Sequence, residues 1–172
     1  NGFTMINDIM AGGDENRMME LAAEYKCPIV LMHMRGSPRT MQENPYYKNI
    51  IDDILIFFEE KFKIAEEYGI KENELILDPG IGFGKSPIHN FTVLRDLQHF
   101  TGFNLPLLVG PSRKSFIGIT LDLPESERLE GTAASVTASV LNGANIVRVH
   151  DVKEMKRVVT IVDSIHRLGA EA

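Results

Sequence analysis

The stretch Leu75-Ile76-Leu77-Asp78-Pro79-Gly80-Ile81-Gly82-Phe83-Gly84-Lys85-Ser86 decides how the chain reads. A short apolar run ends on a carboxylate, and a turn with three alternating glycines follows. That pattern is a buried strand delivering Asp78 to the rim of a sheet, where loop residues can close over a small ligand. Glycine at 80, 82 and 84 permits positive φ and lets backbone approach closely. Ser86 before Pro87 reads as a helix N-cap followed by its first turn. Two nucleotide motifs are excluded. A P-loop needs glycine five residues before the glycine of Gly84-Lys85-Ser86, where this chain has Pro79. The dinucleotide fingerprint fails because Lys85 stands where Gly80-x-Gly82 needs its third glycine.

Outward from this loop the chain alternates strand and helix. Ile6-Asn7-Asp8-Ile9 is a short strand, followed by a turn at Gly12-Gly13 and a helix from about Asp14 to Tyr25. Pro28 to Met34 is a second strand, leaving through Arg35-Gly36 into a polar loop over 37–47. Ile51, Ile54, Leu55, Phe58, Phe62 and Ala65 recur at helical spacing as core residues, with Gly69 as the stop. After the third strand, a helix is expected from Ser86 to Phe100. Pro106 to Gly110 is the fourth strand, and Glu125 to Asn142 a helix of small residues. Ala144 to Asp151 is the fifth strand, and Val152 to Leu168 the closing helix. Short apolar runs without clean alternation are the mark of a buried parallel sheet. Polar residues gather at carboxyl ends of strands, the side on which parallel α/β folds place their sites. Strand ends recur on the order of every 35 residues, near the roughly 31 of an eight-stranded barrel. The same spacing fits an open five-stranded sheet of flavodoxin type, so spacing leaves both open.

With 172 residues, 44% hydrophobic and 24% charged, the chain has the composition of one globular domain with a sizeable core. A net charge of −6 without a basic block argues against nucleic acid. No apolar run reaches the length of a membrane helix and no signal peptide is visible, so no membrane partner is expected. The single cysteine, Cys27, fits a reducing compartment, the cytoplasm.

Asp78 is the leading site candidate. Its two oxygens could accept both donors of an amidine-like edge on a heterocycle, or the carboxylate could cap its own turn. Arg113 and Lys114, on a loop after a strand, could hold phosphate or a ring carbonyl, or could simply be solvated. Arg148 and His150 share parity on one strand and need an anion, either a bound oxyanion or the neighbouring Asp151. Asn7 and Asp8 read equally as site residues or as an Asx turn, and His33 as a packed or a binding histidine. No close metal-ligand spacing and no nucleophile elbow appears, so this chain is expected to supply no metal ligand.

Together these residues resemble the carboxyl-terminal part of the dihydropteroate synthase family, enzymes of folate biosynthesis. The matching blocks are Ile6-Asn7-Asp8, Leu31-Met32-His33-Met34-Arg35-Gly36 with Thr40-Met41-Gln42, Asp78-Pro79-Gly80-x-Gly82-Phe83-Gly84-Lys85, Gly110-x-Ser112-Arg113-Lys114-Ser115 and Arg148-Val149-His150-Asp151. They occur in family order over nearly the whole chain. The resemblance implies an eight-stranded (β/α) TIM-type barrel, with residues 1–172 covering about the last five βα units of that single pterin-binding domain. It implies a transferase that joins para-aminobenzoate to 6-hydroxymethyl-7,8-dihydropterin pyrophosphate and releases pyrophosphate. Carried over by position, Asn7, Met32, Asp78, Lys114 and Arg148 would hold the pterin, and Arg148 and His150 the pyrophosphate. Phe83, Ser112 and Lys114 would border the para-aminobenzoate pocket, which sulfonamides occupy in this family. Lys114, Arg148 and His150 are the expected catalytic residues. Mg²⁺ is expected, its protein ligand lying in the family's amino-terminal part, and a homodimer is the expected assembly. Five barrel strands alone would leave unpaired edges, so a longer polypeptide is expected, with the fragment alone inactive. A pterin-dependent methyltransferase and a non-catalytic pterin-binding module are the alternatives.

Overall fold

The computed structural model describes residues 2, 4–11, 16–36 and 45–170, with side chains to residue 166. The Gly12-Gly13 turn, the expected helix start at Asp14, the loop over 37–44 and the block Thr40-Met41-Gln42 lie outside the described residues. Five strands alternate with helices: β1 Ile6–Asp8, α1 Arg17–Tyr25, β2 Ile29–Met32, α2 Ile50–Glu67, β3 Leu75–Asp78, α3 Pro87–Arg95, β4 Leu108–Val109, α4 Ser115–Leu121, α5 Leu129–Leu141, β5 Ile146–Val147 and α6 Val152–Ala170. All described pairings are parallel. β1 pairs with β2, β2 with β3, and β4 with β5, while a single bridge from Leu77 to Leu107 joins β3 to β4. The strands therefore lie in sequence order, unlike the 2-1-3-4-5 order of a flavodoxin-type sheet.

The two faces of this wall differ. On one, Ile29, Leu31, Leu75, Leu77, Leu107 and Val109 meet the buried residues of α1 to α4 in one large core. Ile54 and Phe58 of α2 are fully buried there, and Phe58 packs edge-on against Phe100 and Phe103. On the other, Val30, Ile76, Leu108 and Ile146 make a small cluster taken from strands alone. Strand residues alternate between faces, so Met32 and Asp78 lie on this second, helix-free face, one step past Val30 and Ile76. The register sets Met32 beside Asp78 and Asn7 beside Val30.

Local chemistry explains the boundaries. Asn49 caps α2 by accepting the Ile51 N–H at 3.1 Å. Ser86 caps α3 as expected, and Pro87 follows it in the first turn. The helix expected to run to Phe100 stops at Arg95. The chain continues as a 3₁₀ stretch, Leu97–Phe103, which still buries Leu97 and Phe100 on one side. The expected helix from Glu125 opens instead with a single 3₁₀ turn, and α5 begins at Leu129. The loop after β4 contains the short α4, unread in the sequence because Gly118 and β-branched Ile117, Ile119 and Thr120 are weak helix formers. β5 is much shorter than Ala144 to Asp151, because its partner β4 runs into Pro111, which has no N–H to extend the ladder. One more bond, from the Arg148 N–H to the Val109 carbonyl at 3.0 Å, carries the pairing a residue further.

Replacing Phe58 with alanine should cost the intact protein about 3–5 kcal/mol in urea unfolding. A loss under about 1 kcal/mol would show that the aromatic cluster does not anchor α2 to the sheet.

Candidate functional site

Asp78 closes β3 with 2% of its surface exposed. Its Oδ1 accepts the Gly80 N–H at 2.7 Å, so it does cap its own turn. Its Oδ2 accepts no hydrogen bond among the described residues. Positive φ at Gly80, Gly82 and Gly84 is required as well as observed. A methyl group at Gly80 would strike the His33 carbonyl, and one at Gly84 the Arg35 backbone.

The loop is closed by Lys85, a residue that sequence reasoning did not count in the site. Only 3% exposed, its Nζ donates to the carbonyls of Gly80 at 2.9 Å, Phe83 at 3.1 Å and His33 at 3.3 Å. It also lies 2.9 Å from His33 Nδ1. Burial lowers the Lys85 pKa, and the charge of Asp78 opposes that shift. The same burial, reinforced by Lys85 and Arg35, pushes His33 down to about 2. The His33 ring is therefore neutral and Nδ1 serves as an acceptor, so His33 is a packed partner rather than an exposed ligand-binding group. Asn90 ties the far side, accepting the Gly82 N–H at 2.7 Å and donating to the Ser86 carbonyl at 2.9 Å. No sequence pattern marks Lys85 for this role, because the carbonyls it gathers belong to backbone.

Around Asp78 stand Lys85, Lys114 and Arg148, none of them close enough for an ion pair. Burial raises the Asp78 pKa to about 6, against the pull of the Gly80 N–H and of these three cations. Lys114 is lowered by burial and then by Arg148, with Asp78 opposing. Its Nζ sits 4.1 Å from the centre of the Phe83 ring, and its stem lies against Gly82. Arg148 lies beside Gly110, where a methyl group would come within 3.0 Å of the guanidinium. Met32 and Asp78 are paired in register, and Gly110 and Arg148, each one residue past β4 and β5, lie on the same face two residues further along.

The loops after β4 and β5 are clasped together. Arg113 holds Asp151 with two bonds, 3.0 Å from Nε and 2.6 Å from the second nitrogen. Asp151 therefore takes Arg113, and not Arg148, as its ion-pair partner. Arg113 is also fixed by its N–H to Thr132 at 3.0 Å and by its carbonyl to Arg128 at 2.9 Å, so of the Arg113-Lys114 pair only Lys114 faces the site. Ser112, 3% exposed, lies 2.9 Å from His150 Nδ1 and accepts the His150 N–H at 3.2 Å. A serine beside a histidine suggests a nucleophile, but this hydroxyl is buried and the adjacent carboxylate is engaged elsewhere. At the other edge Asp8 makes the Asx turn, accepting the Met10 N–H at 2.9 Å, while Asn7 is exposed and Met32 is buried.

The arrangement is a buried carboxylate with three nitrogen-bearing side chains, Lys114, Arg148 and His150, towards the ends of the neighbouring strands. It suits a planar donor-rich ring carrying an anionic tail. Among the described residues no three His, Cys, Asp or Glu side chains gather to hold a metal ion. No described helix is long and apolar enough to cross a membrane.

Comparison with known proteins places these residues in context. Residues 1–150 match the sequence pattern of the family described as pterin binding enzyme. A dihydropteroate synthase of Synechocystis is 44% identical over 167 residues, which are 96% of this chain and 58% of that protein. One of Escherichia coli K12 is 45% identical over 163 residues, 95% of this chain and 57% of that protein. The chain thus spans a little over half the length of the relatives it matches. A crystal structure of Yersinia pestis dihydropteroate synthase with a sulfonamide drug complex superposes with a TM-score of 0.94 at 42% identity, covering 96% of this chain and 60% of that one.

Lys85→Met should lower stability by more than ~2 kcal/mol, because three buried carbonyls and a ring nitrogen lose their donor together. Urea unfolding with amide exchange over 78–85 reads this directly. Unchanged exchange in that loop would mean that Lys85 does not hold it.

Proposed function

The chain belongs to the family of pterin-binding enzymes, and on that premise we propose that it acts as part of a dihydropteroate synthase. In this reading the five strands are the last five of an eight-stranded (β/α) barrel. Residues 1–172 form one domain together with amino-terminal strands carried by the rest of the polypeptide. The reaction joins para-aminobenzoate to 6-hydroxymethyl-7,8-dihydropterin pyrophosphate, giving 7,8-dihydropteroate and pyrophosphate. The observation that carries the proposal is the unpaired oxygen of buried Asp78 on the face that also carries Arg148.

The chemistry follows from that face. Asp78 accepts two hydrogen bonds from the N–C–N edge of the pterin, and Met32 packs on the ring with Asn7 at its margin. Lys114 donates to the oxo group and N5, which are acceptors. The carbon–oxygen bond to pyrophosphate breaks first, and its electron pair leaves with the phosphate. Arg148 and His150 stabilise the charge that develops there. The amine of para-aminobenzoate then attacks the pterin methylene cation and loses a proton. Phe83, Ser112 and Lys114 border the aminobenzoate, and sulfonamides compete for the same place. No side-chain nucleophile takes part.

Mg²⁺ remains part of the proposal by resemblance, its protein ligand outside this chain, and no step here runs through it. A homodimer in the cytoplasm completes the reading. Methyl transfer to or from a pterin would leave the Arg148 and His150 end without a role, and a non-catalytic module would release no pyrophosphate.

The decisive experiment is pyrophosphate release by the intact protein with both substrates. Release dependent on para-aminobenzoate and blocked by a sulfonamide is expected, and tight pterin binding without release would overturn the enzyme reading. Asp78→Asn should weaken a pterin lacking phosphate by about 2–4 kcal/mol, the loss of a charged buried partner. Because only the ionised carboxylate accepts both donors, and burial holds its pKa at about 6, affinity for that pterin should be flat above pH 7. It should fall as pH drops through that value, and Asp78→Asn should abolish the dependence. An unchanged profile in the variant would remove Asp78 from the pterin edge.

A further inference from the structure

The clasp between Ser112 and His150 contains more information than a contact between two loops. Ser112 Oγ is buried, accepts the His150 backbone N–H at 3.2 Å and lies 2.9 Å from His150 Nδ1. A hydroxyl has one proton and two acceptor positions. One acceptor position is taken by the backbone N–H. The described residues offer the hydroxyl proton a single acceptor, Nδ1. If Nδ1 carried the ring proton instead, the Ser112 proton would be buried without a partner, at a cost of about 1–3 kcal/mol. Both groups are satisfied only when Oγ–H donates to Nδ1. The neutral ring then carries its proton on Nε2, at the exposed end of the side chain.

We infer that Ser112 is a positioning residue that fixes the His150 tautomer and turns Nε2–H outward as a donor beside Arg148. This rests on the proposed function for the identity of the anion, which is the departing pyrophosphate. His150 is held from both sides of its own residue, through main-chain nitrogen and ring nitrogen, by a single oxygen. That oxygen follows Gly110-Pro111, so its position is set where the β4 ladder must end. Among the described residues no charged group hydrogen-bonds the His150 ring. Asp151 is bound to Arg113 and Arg148 is itself a cation. The arrangement gives the anion end an imidazole N–H of set orientation in addition to the Arg148 guanidinium.

The test reads the ring directly. In the intact protein, ring nitrogen chemical shifts of the neutral His150 ring should report a single Nε2–H tautomer. Ser112→Ala should give a mixture of tautomers and weaken inorganic pyrophosphate roughly tenfold, the size of one hydrogen bond to a charged group. Ser112→Thr, which keeps the hydroxyl, should restore both. A wild-type ring with its proton on Nδ1, or an unchanged tautomer in Ser112→Ala, would overturn the inference whether or not the protein releases pyrophosphate. A tautomer shift with unchanged pyrophosphate affinity would uphold the role of Ser112 in setting the ring and overturn its role in binding the anion. Absence of pyrophosphate binding in the unaltered protein would count against the proposed function alone.

Discussion

The site depends on one buried ammonium. Lys85 reaches back under its own loop and joins the carbonyls of Gly80 and Phe83 to the carbonyl and ring of His33. Four acceptors and no donor face it, and the three N–H groups of an ammonium are shared among them. The exits of β2 and β3 become one rigid piece as a result. Backbone from Gly80 then passes so near the His33 carbonyl that only glycine fits. Asp78 and Phe83, at the two ends of the same loop, inherit fixed places. The energetic cost of burying this cation is met by hydrogen bonds to backbone and not by a salt bridge. Asp78 thereby remains free of an ion pair.

That freedom gives the carboxylate its chemical character. A direct contact with Lys114 or Arg148 would hold Asp78 ionised and low in pKa, but would also occupy the oxygens a ligand needs. Here one oxygen is anchored by the Gly80 N–H, and the cations stand back. Burial then dominates and lifts the pKa towards neutrality. The same separation leaves Arg148, beside Gly110, open to an anion. The neighbouring Arg113 spends its charge on Asp151, and that clasp holds the loops after β4 and β5 together. Helices cover one face of the sheet, and the second face carries Met32, Asp78, Gly110 and Arg148. The fold thus separates the packing surface from the binding surface.

Much of this was legible in the sequence where local chemistry controls the outcome. The strand ending at Asp78, the glycines of positive φ and the cap at Ser86 follow from residue type and order alone. Phe58 and Ile54 follow from helical spacing. The rest depends on partners distant in sequence. Lys85 looked like any loop lysine, because its acceptors are carbonyls and His33 lies over fifty residues away. Asp151 was a plausible partner for Arg148 by proximity in sequence, yet the fold brings Arg113 to it. The strand through Arg148 and His150 was read too long, since its limit is imposed by Pro111 on the neighbouring strand. In α4, a glycine and β-branched residues hid a helix that tertiary packing of Phe116 and Ile117 stabilises.

The central claim is that Asp78 is buried and unpaired in the ligand-free protein. Its carboxyl carbon chemical shift, followed through a pH titration of the intact protein, measures that directly. A midpoint near 6 is expected, against 3.8 for an ordinary aspartate. A midpoint at or below the ordinary value would mean that a cation already holds the carboxylate and that Asp78 is not free for a ligand.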